Sequence, residues 1–247
     1  MIDGELFGRA KEQMLWKRQG ERGIGTLSEK SVHSVLKYYY APDEKYHEVK
    51  IGTYFADACV EGDIYEIQTR NFYKLNEKLE EFINTFGMDV TIVYPVPVEN
   101  TLIWIDPDTG EVKKSRTVKA PKKIYKVFRE LYGIRDFLGN PKLHLCIACL
   151  KTEDYRLLDG YGKDRKKRAT KTDRVPVEFK EEFYFDGVKD ALILFPESLP
   201  DEFTAADFRK ATGLGANDAS AGLLLFYRLG VLSRRKEGRS FVYRKEN

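Results

Sequence analysis

The sequence has no apolar run near the ~20 residues that a membrane-crossing helix needs. Its N-terminal stretch, MIDGELFGRAKEQMLWKRQG, is charged throughout and lacks the apolar segment of a secretory signal. Cysteine is scarce, three in 247 residues, and the odd count speaks against a disulfide framework. Cys146 and Cys149 are spaced like half of a zinc site. No second Cys or His pair accompanies them, and residues three apart on a strand face opposite sides, so buried strand cysteines are expected. No internal repeat stands out. What is present, 42% hydrophobic and 33% charged residues, belongs to a globular chain rather than a disordered one. The expectation is a cytoplasmic protein with no membrane partner.

A large net charge is also missing, but the total of +3 hides an uneven distribution. Residues 163–174 (KDRKKRATKTDR) carry seven Lys/Arg against two Asp, and residues 203–247 carry nine Lys/Arg against four Asp/Glu. Each stretch is locally +5, so the remainder carries −7. Such asymmetry points to a polyanionic partner for the basic parts.

Residues 1–24 are polar and show no clear period. Thr26 to Glu29 has the spacing of a capping box, and Leu27, Val32, Val35, Leu36 and Tyr39 follow at helical intervals until Pro42. Strand-like runs follow at 46–51, 54–60 and 64–69. A helix is expected over 71–86, strands over 88–98, 102–105 and 111–118, a second long helix over 121–138, and a further strand over 143–150. This order implies an α/β layer with helices against a mixed sheet.

The chemistry is concentrated in the hairpin 54–68. Along one strand Phe55, Asp57 and Cys59 share a face; along the other Ile64, Glu66 and Gln68 do. A two-residue loop at Glu61-Gly62 sets Asp57 opposite Glu66, and a loop at Gly62-Asp63 sets it opposite Gln68. Facing carboxylates about 5 Å apart at Cβ repel, and a divalent cation removes that cost. Hard oxygen donors suit Mg²⁺ (or Mn²⁺), with the Ile67 carbonyl as a natural further ligand. His33, one turn after Glu29, has two readings, the favoured one a helix-surface histidine and the other a group that helps with a water or a phosphate.

Asp57-x8-Glu66-x-Gln68 resembles the motif of the PD-(D/E)XK, restriction-endonuclease-like nuclease superfamily, and the helix–strand–hairpin–helix–strand setting over roughly residues 25–150 resembles its common core. The resemblance implies metal binding by Asp57 and Glu66 and catalytic roles for Glu29, Asp57, Glu66 and Gln68. Glu29 corresponds to an acidic residue often found on the preceding helix, and also has a structural role open to it in the capping box. Ala56 replaces the motif's proline. Gln68 replaces its lysine, with Lys74 on the next helix as a candidate substitute.

Residues 204–247 have the rhythm of a winged helix-turn-helix: Thr204 caps a helix over 205–212, Gly213-Leu-Gly215 turns, and a second helix, capped by Asn217 or Asp218, runs to Leu229. A basic hairpin over 233–245 turns at Lys236-Glu237-Gly238. The DNA contacts expected are Lys166, Lys167 and Arg168 in the basic loop and Arg234, Arg235, Lys236 and Arg239 on the wing. The expected organisation is a nuclease-like α/β domain over 1–162, a basic loop and connecting region over 163–199, and a small α+β winged-helix domain over 200–247. The expected activity is Mg²⁺-dependent DNA cleavage, by a monomer or homodimer. A nuclease fold that binds DNA without cutting it, and a ligand-sensing regulator, are the alternatives.

Overall fold

The computed structural model describes residues 2–20, 31–161 and 168–246. Glu29 and the capping box around it, and Lys166 and Lys167, lie outside the described residues.

The N-terminal stretch, read as aperiodic, is helix α1 (Gly4–Gly20). Phe7, Ala10 and Met14, at intervals of three and four, form its buried stripe. Helix α2 (Ser31–Tyr40) packs beside it. The first backbone N–H of α2 donates to Asp173 at 3.3 Å, an acid at the positive end of a helix. Strands β1 (His47–Ile51), β2 (Tyr54–Val60) and β3 (Asp63–Ile67) form an antiparallel meander. Residues 72–85 are helical but irregular: a 3-10 turn Phe72–Leu75, one α turn α3 (Asn76–Leu79) and a π turn Glu80–Thr85.

The separate strands expected over 88–98 and 102–105 are one, β4 (Val90–Ile105), with a register shift between Pro97 and Glu99. The short strands β5 (Val112–Lys114) and β6 (Val118–Lys119) pair with its second half. The helix expected to reach residue 138 is shorter: a 3-10 turn Pro121–Lys126 leads into α4 (Val127–Tyr132). β7 (Leu143–Leu157) runs beyond the expected end at 150. The region read as a connection contains β8 (Thr170–Phe185), a 16-residue strand antiparallel to β7. Its charged residues hide the alternation of Val175, Val177 and Phe179, and Pro176 suits an edge strand.

The sheet order is β1-β2-β3-β4-β7-β8, with β3, β4 and β7 mutually parallel. Both faces are covered, so β4 and β7 read as apolar runs rather than alternations. Ile92, Tyr94, Ile147 and Cys149 enter the cluster under helix 72–85 and α4. Val93, Cys146, Ala148 and Leu150 enter the cluster under α1 and α2. Cys146 and Cys149 are therefore buried on opposite faces, and both are free thiols.

After a 3-10 turn, Val188–Leu194, the chain forms β9 (Glu202–Thr204), α5 (Ala205–Thr212), α6 (Ala216–Arg228), β10 (Leu232–Glu237) and β11 (Ser240–Lys245). Thr204 and Asp207 form a reciprocal cap on α5, and Gly213 ends it at φ 72°. Gly215, not Asn217 or Asp218, is the N-cap of α6. Glu237 pairs with Ser240, so the hairpin turns at Gly238-Arg239 rather than one step earlier. These elements share the main core: the Phe128 ring of α4 meets Phe195, Phe208 and Phe226 at centroid distances of 5.2 to 5.9 Å.

Candidate functional site

Glu61 and Gly62 both have positive φ, 53° and 103°, which is the two-residue turn that follows the twist of a hairpin. Val60 pairs with Asp63 and Ala58 with Tyr65, and continuing that register sets Asp57 opposite Glu66. Beyond this point the two strands are tied by side chains. The Ile67 N–H donates to Asp57 Oδ2 at 2.8 Å, and the Asp57 N–H donates to Glu66 Oε1 at 3.2 Å.

β3 ends here, while β4 continues. β3 pairs with β4 only as far as Ile67 and Val93, and β6 takes up the same edge at Glu99. Among the described residues no strand pairs with that edge of β4 between them. Val93 turns its carbonyl to this edge and accepts the Gln68 N–H at 2.9 Å. By alternation residues 95 and 97 face the same way, and both are proline, with no N–H to strand. The Pro97 carbonyl accepts Lys123 Nζ at 3.2 Å. The gap is the floor of an open groove of about 960 Å³. Asp57, Glu66 and Gln68 line it, with His33 and Lys78 beside them and Lys123, Lys126, Lys171 and Arg174 farther along.

Each carboxylate has a basic side chain beside it. His33 Nε2 lies 3.0 Å from Asp57 Oδ2, so this histidine faces the groove and is not a bystander on the helix surface. Lys78 Nζ donates to both Glu66 oxygens at 2.8 Å. Lys74, in the 3-10 turn, is exposed instead; the lysine one turn later reaches the acid. Burial opposes ionisation of Asp57, but His33, the Ile67 N–H and the Lys78 charge outweigh it and hold the carboxyl below its ordinary range. Glu66 is 3% exposed, and burial together with the Asp57 charge pushes it up to about 7 against the pull of Lys78. Among the described residues the Gln68 amide reaches the Asn71 carbonyl alone, at 3.5 Å.

Among the described residues no group of three or more His, Cys, Asp or Glu is arranged to hold a metal ion. A cation at this site would rest on Asp57, Glu66 and the Ile67 carbonyl, with its other ligands from water or substrate.

The basic residues named from sequence have mixed surroundings. Arg168 is exposed. Arg234 is stacked between Tyr227 and Phe241, 4.1 and 4.2 Å from the ring centroids. Arg235 is paired with Glu202 and, at 3.3 Å, with Glu237. Lys236 and Arg239 are exposed at the hairpin end. Lys78, Lys123 and Lys126 were not singled out by sequence, and Lys171 and Arg174 only as part of the basic stretch 163–174. Only the sheet, which brings β8 and the turn before α4 to the same opening, gathers them.

Residues 30–186 match the model of the DUF8091 family, described as a domain of unknown function. The chain belongs to this family. The DUF8091 match contains every residue named above as lining the groove, while the elements from β9 onward lie outside it. No curated protein and no solved structure matches the chain. Among the described residues no helix is long and apolar enough to cross a membrane.

Proposed function

We propose that this protein is a metal-dependent nuclease that hydrolyses phosphodiester bonds in DNA, built on a restriction-endonuclease-like core with a C-terminal winged helix-turn-helix. One observation carries the reading: two carboxylates, adjacent on the β2–β3 hairpin, sit in the floor of a groove that also holds Lys123, Lys126, Lys171 and Arg174. The order α2, β1, the β2–β3 hairpin, helix 72–85 and β4 is the order that the PD-(D/E)XK resemblance implies.

The donor set fits a hard dication. Asp57 Oδ1 has no hydrogen-bond partner among the described residues, and burial together with the Asp57 charge raises the Glu66 pKa, so this buried pair is one that added positive charge would stabilise. Mg²⁺ or Mn²⁺ held by Asp57, Glu66 and the Ile67 carbonyl would supply an activated water and neutralise charge on the phosphate. Lys78 takes the part that Gln68 cannot, a cation held at hydrogen-bond distance from the second acid. The Ile67 N–H fixes the Asp57 carboxylate, and His33 sets its orientation from the other side. The basic residues along the groove hold the polyanion over the carboxylates.

The order 3-10 turn, β9, α5, α6 and the β10–β11 hairpin is that of a winged helix. The middle of α6 is buried, with Gly222 against Phe128, which leaves Asn217, Ser220 and Arg228 on its exposed side. That sparse polar stripe, with Lys236 and Arg239, suits contact with phosphates more than reading of bases. The second reading, a nuclease fold that binds without cutting, draws on Gln68 and on the occupation of both Glu66 oxygens by Lys78. A cleavage screen over single-stranded and duplex DNA and RNA with Mg²⁺ or Mn²⁺ separates the two. Ion-dependent products support the nuclease; salt-sensitive binding with no product under either ion supports the second reading.

A further inference from the structure

We propose that Arg174 and Lys171, held by the buried Asp154 and flanked by Lys123 and Lys126, form a phosphate-binding site on the wall of the groove. It would seat a phosphodiester of the nucleic-acid strand distant from the bond that is cut, and in this it rests on the nuclease reading.

Asp154 on β7 is 3% exposed. It accepts from Arg174 Nε, and from Arg174 Nη2 at 2.8 Å, in a bidentate pair, and Lys171 Nζ lies 3.4 Å away. One carboxylate thus anchors two cations, and neither is used up. The side chains of Arg174 and Lys171 keep 32% and 41% of their exposure, both line the groove, and Arg174 Nη1 has no hydrogen-bond partner among the described residues. The turn before α4 adds Lys123 and Lys126 to the same lining. The nearby acid Asp173 is committed to Ser31 at the start of α2. Those neutral donors leave the Asp173 charge in place, so Lys123, Lys126, Lys171 and Arg174 face two acids, Asp154 and Asp173, and a surplus of positive charge remains.

That surplus is costly without a ligand. Burial first, and then the Arg174 charge, draw the pKa values of both Lys171 and Lys123 below the ordinary lysine range. Like charges gathered on strand and turn do nothing for packing, and an anion between them removes the repulsion. A guanidinium fixed along one edge by a buried acid also presents its other N–H groups with little entropy left to lose. Asp154 is then a positioning residue: its negative charge helps an anion to bind by holding the fork in place.

The test is fluorescence anisotropy of a labelled DNA oligonucleotide, single-stranded and duplex, titrated in EDTA over a range of KCl concentrations. Arg174→Ala should weaken binding roughly tenfold, with a salt slope smaller by nearly one. Arg174→Lys keeps the charge, loses the fork and should also weaken binding. Asp154→Asn makes the groove more positive, yet it should weaken binding, which simple charge counting would not give. The inference is overturned if both Arg174 variants keep wild-type affinity and slope, or if Asp154→Asn, folded by circular dichroism, binds more tightly. Should Asp154→Asn unfold, the Arg174→Lys result decides. Loss of the inference alone shows as wild-type cleavage and binding untouched by these changes. A wild type that binds no oligonucleotide and cuts none overturns the nuclease reading itself, and this site with it.

Discussion

Glu66 accepts both hydrogen bonds from Lys78 and one from the Asp57 backbone, yet burial and the Asp57 charge push its pKa up to about 7. The folded protein therefore holds a proton on Glu66 that the unfolded chain releases near its ordinary value of 4.5. The contribution of Glu66 to stability is fully present below about 4.5 and declines as pH rises towards about 7. Asp57 acts oppositely: its depressed pKa gives stability that is lost as pH falls through the carboxylate range. Without divalent metal, the stability of Glu66→Gln relative to wild type should rise across pH 4.5 to 7, by about 1 kcal/mol per pH unit at most. Urea unfolding of both proteins at several pH values measures this, and a flat difference would remove the strained acid from the account. Lys78→Ala leaves Glu66 buried without its cation and should destabilise by about 3 kcal/mol at pH 8, a loss that saturating Mg²⁺ should reduce.

At the level of elements, strand parity and turn chemistry were legible in the sequence because both are local. Parity put Asp57, Glu66 and Gln68 on one face and left the turn between Glu61-Gly62 and Gly62-Asp63, of which the structure has the first; Thr204 was readable as the cap of α5, without its reciprocal partner Asp207. The charged strand β8 was missed because Glu and Lys obscure its alternation, and α1 because Phe7, Ala10 and Met14, the buried residues among its described side chains, make a faint stripe. The partners of the two acids were illegible for a different reason. His33 and Lys78 reach the hairpin from α2 and α3, and Arg174 comes from more than a hundred residues away, so only the sheet order brings them together. Helix α4 packs against α6, with the Phe128 ring at the centre of the contact. A Cβ on Gly222 of α6 would lie 2.9 Å from the Phe128 Cβ, so Gly222→Ala should cost about 1–3 kcal/mol by overpacking. Phe128→Ala, which empties the contact with Phe195, Phe208 and Phe226, should cost about 3–5 kcal/mol. Thermal or chemical unfolding measures both, and wild-type stability of Phe128→Ala would deny that ring its central place in the contact.

Across the whole molecule, the modest total charge of +3 hides a local separation: the groove carries the acids Asp57 and Glu66 in its floor and cations along it, and basic residues recur on the terminal hairpin. On the proposed nuclease reading, that separation would supply attraction along the strand and a cation-binding pair at the point of attack. Because Arg235 is already paired with Glu202 and Glu237, Arg235→Ala should change DNA affinity less than Lys236→Ala combined with Arg239→Ala, as read from binding at several salt concentrations. The central claim is that Asp57 and Glu66 hold the ion that makes the groove cut. It is tested most directly by the rate at which wild type and Asp57→Asn nick supercoiled plasmid with Mn²⁺ or Mg²⁺, measured at matched DNA occupancy. Wild type should nick only when the ion is present, and Asp57→Asn should bind the plasmid while nicking at least a hundredfold more slowly, in the range of a lost catalytic group. Equal nicking by the two proteins, or nicking by wild type that persists in EDTA, would contradict the assignment.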